Sequence, residues 1–111
     1  MGSFAASQVV LVHFPFSDLT ASKLRPAVVL ADAGRGDWIL CQITSKSYGD
    51  ASARPLVAAD FASGSLRVDS FVRPAKLFTA HTTLVAGKVG DMQPGKFSAV
   101  RDAVVRIIQN G

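Results

Sequence analysis

The fold of this chain is decided by the stretch RPAVVLADAGRGDWILCQIT, which runs from Arg25 to Thr44. Apolar and β-branched side chains dominate Ala27 to Ala31 and Trp38 to Thr44, which predicts two buried strands. Between them, Asp32 to Asp37 carries two glycines and predicts a hairpin turn. Because the strands of a hairpin are antiparallel, the end of the second lies beside the beginning of the first. We therefore expect Arg25, at a loop-to-strand junction, to lie close to Thr44.

Further strands are predicted on both sides of this hairpin. The run from Val9 to Phe14 is apolar except for His13 and is followed by Pro15, which predicts a buried first strand that ends there. Shorter strands are expected at three later positions, namely Pro55 to Ala58, Leu66 to Val72 and Leu84 to Val89. The segment Lys76 to Phe78 is compatible with an extended or a short helical connection, and both remain open.

One helix is predicted near the end of the chain, from Pro94 to Ile108. Apolar residues three or four positions apart form a single stripe along it, at Phe97, Val100, Val104 and Ile107. A proline in the first turn suits the beginning of a helix. Many short strands followed by one amphipathic helix predict a small antiparallel barrel with the helix packed against it. We expect a single domain over residues 1–111, because this length suits one hydrophobic core.

The composition narrows the classes of function. Twelve Lys and Arg residues against eight Asp and no Glu give a formal net charge of +4. A basic surface favours a polyanionic partner such as a nucleic acid, although many basic proteins bind none. The single cysteine, Cys41, lies in an apolar stretch and is expected to be a buried structural thiol. Neither a signal-peptide pattern nor a run of ~20 apolar residues is visible, so a cytoplasmic protein is expected.

The chemistry is restricted by the motifs that the sequence lacks. His13, His81 and Cys41 are widely separated and the Asp residues are scattered, so no metal site is predicted. No Gly-rich phosphate loop and no nucleophile elbow occur, so neither nucleotide hydrolysis nor ester hydrolysis is indicated. We expect no cofactor.

The candidate site is therefore built on Arg25, Thr44 and Ser45. A planar cation beside two hydroxyl groups can grip a phosphate and neutralise charge that develops on it. Two simpler interpretations remain open. Arg25 could form a surface ion pair with an acid such as Asp18, and the two hydroxyl groups could make ordinary hydrogen bonds at the end of a strand.

A polar and basic segment from Ser45 to Arg54 follows the hairpin and predicts a long surface loop. Lys46 and Arg54 could meet phosphate groups, and Tyr48 offers a face on which an unpaired base could stack. The loop could equally be a solvated segment without a ligand.

Six short segments, taken in their order along the chain, form a pattern that is more specific than any one of them. They are Val9 to Phe16, Lys23 to Leu30, Gln42 to Ser45, Ser70 to Arg73, Lys76 to Thr79 and Gly87 to Gly90. Together they resemble the MazF/PemK family of toxins. The resemblance implies an SH3-like barrel with a C-terminal helix, usually a homodimer, that cleaves single-stranded RNA without a metal ion. It also implies a cognate antitoxin protein.

The resemblance further implies roles for single residues. The catalytic Arg and Thr of the family correspond to Arg25 and Thr44, and Arg73 and Lys76 join the substrate-binding residues Ser45, Lys46, Tyr48 and Arg54. In such cleavage the RNA 2′-hydroxyl attacks the adjacent phosphate, a nucleophile that DNA lacks. Arginine is a poor base because its pKa exceeds ~12, so we assign Arg25 to charge stabilisation and to protonation of the leaving oxygen. Thr44 would donate a hydrogen bond to a non-bridging oxygen.

Two departures from the family pattern accompany the resemblance. Pro74-Ala75 stands where some relatives carry an acidic residue, so no general base is identified, and Ser7-Gln8 replaces the usual Gly-Asp before the first strand. Two other functions remain open at this point. One is a CcdB-like toxin that poisons DNA gyrase without catalysis, and the other is a passive RNA-binding barrel.

Overall fold

The computed structural model describes residues 3–15, 22–47 and 49–111. Its elements are β1 (Gln8–Pro15), β2 (Ser22–Gly34), β3 (Asp37–Thr44), β4 (Arg54–Leu56), β5 (Phe61–Gly64), β6 (Ser70–His81), β7 (Val85–Met92) and α1 (Pro94–Asn110). The strands form one sheet in the order β4-β6-β3-β2-β1-β7-β5. All its neighbours pair antiparallel, and the sheet curls into a half-barrel. The predicted fold class, mainly β with a C-terminal helix and of the SH3-like barrel type, is confirmed.

The β2–β3 hairpin lies at the centre of the sheet and turns at Arg35-Gly36. Gly36 has a φ of +82°, and a Cβ there would lie 2.7 Å from Nε2 of His81, so glycine suits both the conformation and the space. The indole nitrogen of Trp38 donates to the hydroxyl of Thr82 over 2.9 Å, and that hydroxyl donates to the Gly36 carbonyl over 2.9 Å. The turn is thereby attached to the chain that follows β6.

Apolar side chains cover both faces of the central strands. One face, which we call the helix-side cluster, contains Val9, Val28, Cys41, Ile43, Leu56, Phe61, Val72, Met92, Phe97 and Val100. The opposite cluster contains Val10, Val12, Ala27, Val29, Trp38, Leu40 and Ala80. Because successive residues of a strand point to opposite faces, burial of both faces requires continuous apolar runs instead of alternating ones. This explains the unbroken apolar segments that identified the first three strands.

The helix α1 begins at Pro94 as predicted and ends at Asn110, two residues beyond the predicted end. Phe97, Val100 and Val104 of the predicted stripe are buried, and Ile107 is half-buried. The amphipathic pattern therefore identified the face by which the helix packs on the sheet.

The predicted strand from Leu66 to Val72 is confirmed only for its last three residues, and Leu66 to Asp69 do not belong to a strand. The chain instead forms β5 before it and begins β6 at Ser70, and residues 65–69 connect the two. Gly64 ends β5 with a φ of +68°, and the hydroxyl of the buried Ser70 donates to the Val68 carbonyl over 3.0 Å. A left-handed residue at one end and a local hydrogen bond at the other turn the backbone out of the sheet.

Smaller differences concern the limits of other elements. Ser22 begins β2, so Arg25 lies inside a strand and not at its junction with a loop. The open segment Lys76 to Phe78 is extended, within β6. Of the predicted strand Pro55 to Ala58, only the part through Leu56 belongs to β4, and a 3-10 turn follows at Ala58–Asp60.

Removal of the Phe97 ring should destabilise the protein strongly. Phe97 is 9% exposed and belongs to the helix-side cluster, so Phe97→Ala is expected to lower the free energy of unfolding by about 3 kcal/mol. Ile108→Ala on the same helix is the matched control, because Ile108 is 68% exposed and its truncation should cost less than about 0.5 kcal/mol. Urea unfolding of both variants tests this, and equal losses would contradict the packing described.

Candidate nucleic-acid site

A cavity of about 460 Å³ opens at the end of the β2–β3 hairpin opposite its turn. Its polar lining residues are Arg25, Thr44, Ser45, Ser65, Arg67 and Ser70. Ala27 pairs with Gln42, and the same antiparallel register continued by two residues brings Arg25 level with Thr44. The structure thus brings the predicted Arg25, Thr44 and Ser45 together on one cavity wall.

Thr44 and Arg25 both have groups that remain available to a ligand. The Thr44 hydroxyl oxygen accepts a hydrogen bond from the Lys46 backbone N–H over 3.2 Å. This contact orients the oxygen and leaves the hydroxyl hydrogen free to be donated. Arg25 is half-buried, and the ion pairs and hydrogen bonds found among the described residues do not include its guanidinium. The alternative partner Asp18 lies outside the described residues.

The electrostatic character of the cavity is cationic. Arg25 and Arg67 both line it, and no carboxylate from the described ranges does so. Two guanidinium groups without an intervening acid favour an anionic ligand and are well suited to phosphate oxygens. The floor and rim are apolar, with the exposed Leu24 and Val68 among them.

Arg73 has a different setting from the one that the sequence predicted. Its Nε lies 2.8 Å from Oδ2 of Asp50, and one of its terminal nitrogens donates to the Gln42 side chain over 3.4 Å. Asp50 also accepts hydrogen bonds from the backbone and hydroxyl of Ser52, over 2.9 and 2.7 Å. The pair therefore fixes the loop after β3 to strand β6. Arg73 does not line the Arg25–Thr44 cavity.

The other predicted substrate-binding residues are dispersed. Lys46 is exposed directly after Ser45, whereas Arg54 lines a groove beside Arg106 of α1. Lys76 lines a further cavity together with Phe78. Tyr48 lies outside the described residues. Ser45 thus lies in the same cavity as the catalytic candidates, and Lys46 follows it directly in the chain. Arg54 and Lys76 lie elsewhere.

Arg67, Ser65 and Ser70 are lining residues that the sequence reasoning missed. Arg67 and Ser70 belong to the segment that was assigned to a strand, and Ser65 directly precedes it. Leu66 is partly buried and packs against the helix-side cluster, whereas Val68 is 59% exposed. The Gly64-Ser65 pair was the available signal for a loop at this position.

Cys41 and the histidines lie apart from the cavity chemistry. The buried Cys41 thiol donates to the Arg73 carbonyl over 2.9 Å, and burial raises its pKa to about 12. This confirms the predicted structural thiol. His81 accepts a hydrogen bond from the Thr83 backbone, and His13 lines a separate cavity with Phe78. Within the described ranges, no three His, Cys, Asp or Glu side chains are grouped as metal ligands would be.

Comparison with known proteins identifies the class that this fold and site define. The model of the PemK-like, MazF-like toxins of type II toxin-antitoxin systems matches residues 6–108. The chain belongs to this family, which confirms the resemblance drawn from its motifs. No curated protein matches the sequence. No helix in the described part of the chain is long and apolar enough to cross a membrane.

Solved structures share the fold at low sequence identity. An endoribonuclease from a mycobacterial species, solved with its cognate antitoxin, has a TM-score of 0.75 and 11% identity, over 98% of this chain and 96% of that one. The MazF of a MazE–MazF structure from Deinococcus radiodurans has a TM-score of 0.74 and 19% sequence identity, over 96% of each chain. The Mycobacterium tuberculosis toxin MazF-mt6 has a TM-score of 0.71 and 17% sequence identity, over 92% of this chain and 96% of that one. At these identities the likeness shows the fold alone.

The Asp50–Arg73 pair should stabilise the fold in a pH-dependent way. The hydrogen bond from Arg73, together with two from Ser52, lowers the pKa of Asp50 from 3.8 to about 2. A carboxyl group whose pKa is lowered by folding stabilises the native state above its unfolded pKa, and this contribution is lost as the pH falls through the folded one. The free energy of unfolding should therefore decrease between about pH 4 and pH 2.

Asp50→Asn should flatten that decrease and cost about 1–2 kcal/mol at pH 7, because a charged hydrogen bond is lost. The measurement is urea unfolding at pH 2.5, 4 and 7. A variant with the same pH dependence as the wild-type protein would show that the pair does not act as described.

Proposed function

We propose that this chain is the toxin of a type II toxin-antitoxin system and acts as a sequence-specific, metal-independent endoribonuclease on single-stranded RNA. One observation carries the proposal: Arg25 and Thr44, the pair that matches the family's catalytic residues, line one cationic cavity. Membership of the toxin family supports the same conclusion. The gyrase-poison alternative gives no reason for a cation and a hydroxyl group to meet there. Passive binding of RNA would use the same two groups, and the cleavage assay separates it from the proposed function.

In the proposed reaction, the 2′-oxygen of a ribose attacks the adjacent phosphorus while the bond to the 5′-oxygen breaks. The products are a 2′,3′-cyclic phosphate and a free 5′-hydroxyl end. A base removes the proton of the 2′-hydroxyl, and the leaving 5′-oxygen gains a proton. Arg25 would stabilise the charge on the non-bridging oxygens and supply that second proton, while Thr44 donates a hydrogen bond.

Removal of either catalytic side chain should nearly abolish cleavage. Loss of one preorganised donor to developing charge lowers a reaction rate roughly 10²- to 10³-fold. The rate of RNA cleavage should therefore fall by this factor in both Arg25→Ala and Thr44→Val. Thr44→Ser keeps the hydroxyl group and should recover most of the activity. The assay follows a long single-stranded RNA in excess EDTA by gel electrophoresis.

Arg35→Ala and Thr79→Val are matched controls, because both side chains are exposed and neither lines the cavity. They should cleave as the wild-type protein does. Near-normal cleavage by Arg25→Ala would refute the assignment, and intact RNA with wild-type protein would refute the function. Inhibition of DNA supercoiling without RNA cleavage would instead support the gyrase alternative.

We further propose that the toxin is a cytoplasmic homodimer that a cognate antitoxin inhibits. The support is the family, together with relatives whose solved structures contain a cognate antitoxin or MazE. The net charge of +4 favours an acidic inhibitor. Light scattering on the purified chain should give twice the 11.7 kDa of one chain, and a monomeric mass at micromolar concentration would contradict the dimer.

A further inference from the structure

The segment from Ser65 to Asp69 adds a second cation to the cavity of Arg25 and Thr44. Arg67 and Ser65 of this segment line the cavity, although they lie more than twenty positions from Thr44 in the sequence. The cavity is thus formed by two distant parts of the chain. The β2–β3 hairpin supplies one wall, and the connection between β5 and β6 supplies another.

The charge of Arg67 is available to a ligand. Three other basic residues of the described ranges have acidic partners: Arg73 pairs with Asp50 over 2.8 Å, Lys88 with Asp91 over 2.8 Å and Lys96 with Asp60 over 3.8 Å. The exposed Arg67 takes part in none of the ion pairs or side-chain hydrogen bonds found among the described residues. Its guanidinium therefore adds to that of Arg25 instead of being neutralised.

Although the Arg67 side chain is exposed, the backbone that carries it is held on both sides. On one side, a Cβ at Gly64 would clash with the Val89 carbonyl oxygen, so β5 packs closely on β7 there. On the other side, the hydroxyl of Ser70 binds the Val68 carbonyl. Leu66 also packs against the helix-side cluster. A cation on an anchored backbone loses less conformational freedom when it binds a ligand.

The size of the cavity limits the ligand. A volume of about 460 Å³ lies within the roughly 300–1,000 Å³ of small-ligand sites, which is the scale of one nucleotide. Two guanidinium groups on the wall of such a cavity can bind a ligand that carries two separate negative charges. In a nucleic acid those charges belong to consecutive phosphates, and the apolar floor can accept the sugar and base between them.

We propose that Arg67 binds the phosphate next to the scissile phosphate, so that Arg25 and Arg67 together hold one nucleotide of the substrate in register for cleavage. This inference rests on the proposed function for its substrate class. Arg67 is a substrate-binding residue in this scheme and takes no part in the chemical step. Its removal should therefore affect binding far more than turnover.

The test compares Arg67→Ala and Arg67→Lys with the wild-type protein. Loss of a charged hydrogen bond should raise the KM for RNA cleavage roughly tenfold with kcat nearly unchanged. Lysine keeps the point charge and should restore most of the affinity, since a phosphate accepts either cation. If Arg67→Lys still binds RNA weakly and cleaves it at altered sequences, Arg67 contacts the edge of a base and the proposal is overturned.

Binding to DNA makes the test independent of cleavage. The probe is a pool of random-sequence single-stranded DNA 12-mers, which lacks the 2′-hydroxyl, and its Kd is measured at several salt concentrations. Loss of one phosphate contact should lower the slope of log Kd against log salt by about 0.7 in Arg67→Ala. Arg35→Ala removes the same charge at the far end of the hairpin and should leave the slope unchanged.

The two proposals can fail separately. If the wild-type protein binds DNA with an Arg67-dependent salt slope but cuts no RNA, the function fails and the phosphate contact stands. If the wild-type protein cuts RNA and Arg67→Ala retains both KM and salt slope, the function stands and the role of Arg67 is refuted. A fall in kcat as large as that of Arg25→Ala would also refute it, because Arg67 would then act in the chemical step.

Discussion

The antiparallel register between β2 and β3 is the constraint on which both the core and the site depend. Val28 pairs with Cys41 and Ala27 with Gln42, which places Val28 and Cys41 together in the helix-side cluster. A slip of one residue would exchange the two faces of a strand and separate Arg25 from Thr44. Because both faces are apolar, such a slip is opposed by misfit of side-chain shape more than by exposure. The packing of the core therefore also fixes the distance between the two candidate catalytic groups.

The turn of the same hairpin and the candidate site lie at its opposite ends. Its turn at Arg35-Gly36 is held by Trp38 and Thr82, and the site lies about ten residues away, at roughly 3.3 Å a residue. Ser45 and the lining residues Ser65 and Arg67 lie in segments that connect strands and do not belong to them. Such connections can change in sequence without loss of the core. With such an arrangement, one barrel could keep the proposed catalytic pair while the surrounding contacts vary.

The sequence was sufficient to predict the features that depend on local pattern. The apolar runs identified β1, β2 and β3, the glycine-containing turn joined the last two, and antiparallel geometry then placed Arg25 beside Thr44. It was insufficient where a contact joins distant parts of the chain. Nothing near Arg73 indicates Asp50 as its partner, and Arg67 reaches the cavity only because Gly64 and Ser70 turn the chain out of a predicted strand. Arg54 was grouped with the site as a basic residue of the loop after β3 and Lys76 through the family resemblance, and the structure places both in other cavities.

The distribution of the acids explains how a modest net charge of +4 can favour an anion at one place. Asp50, Asp91 and Asp60 each lie within 4 Å of a basic side chain, at 2.8, 2.8 and 3.8 Å from Arg73, Lys88 and Lys96. Those three cations form ion pairs within the fold, and the paired carboxylates largely neutralise their charge. Two uncancelled guanidinium groups around one cavity repel each other, which costs stability in the empty protein. A phosphodiester bound as proposed would remove that repulsion and accept hydrogen bonds from both groups. The repulsion in the empty site would then add to the affinity for the ligand.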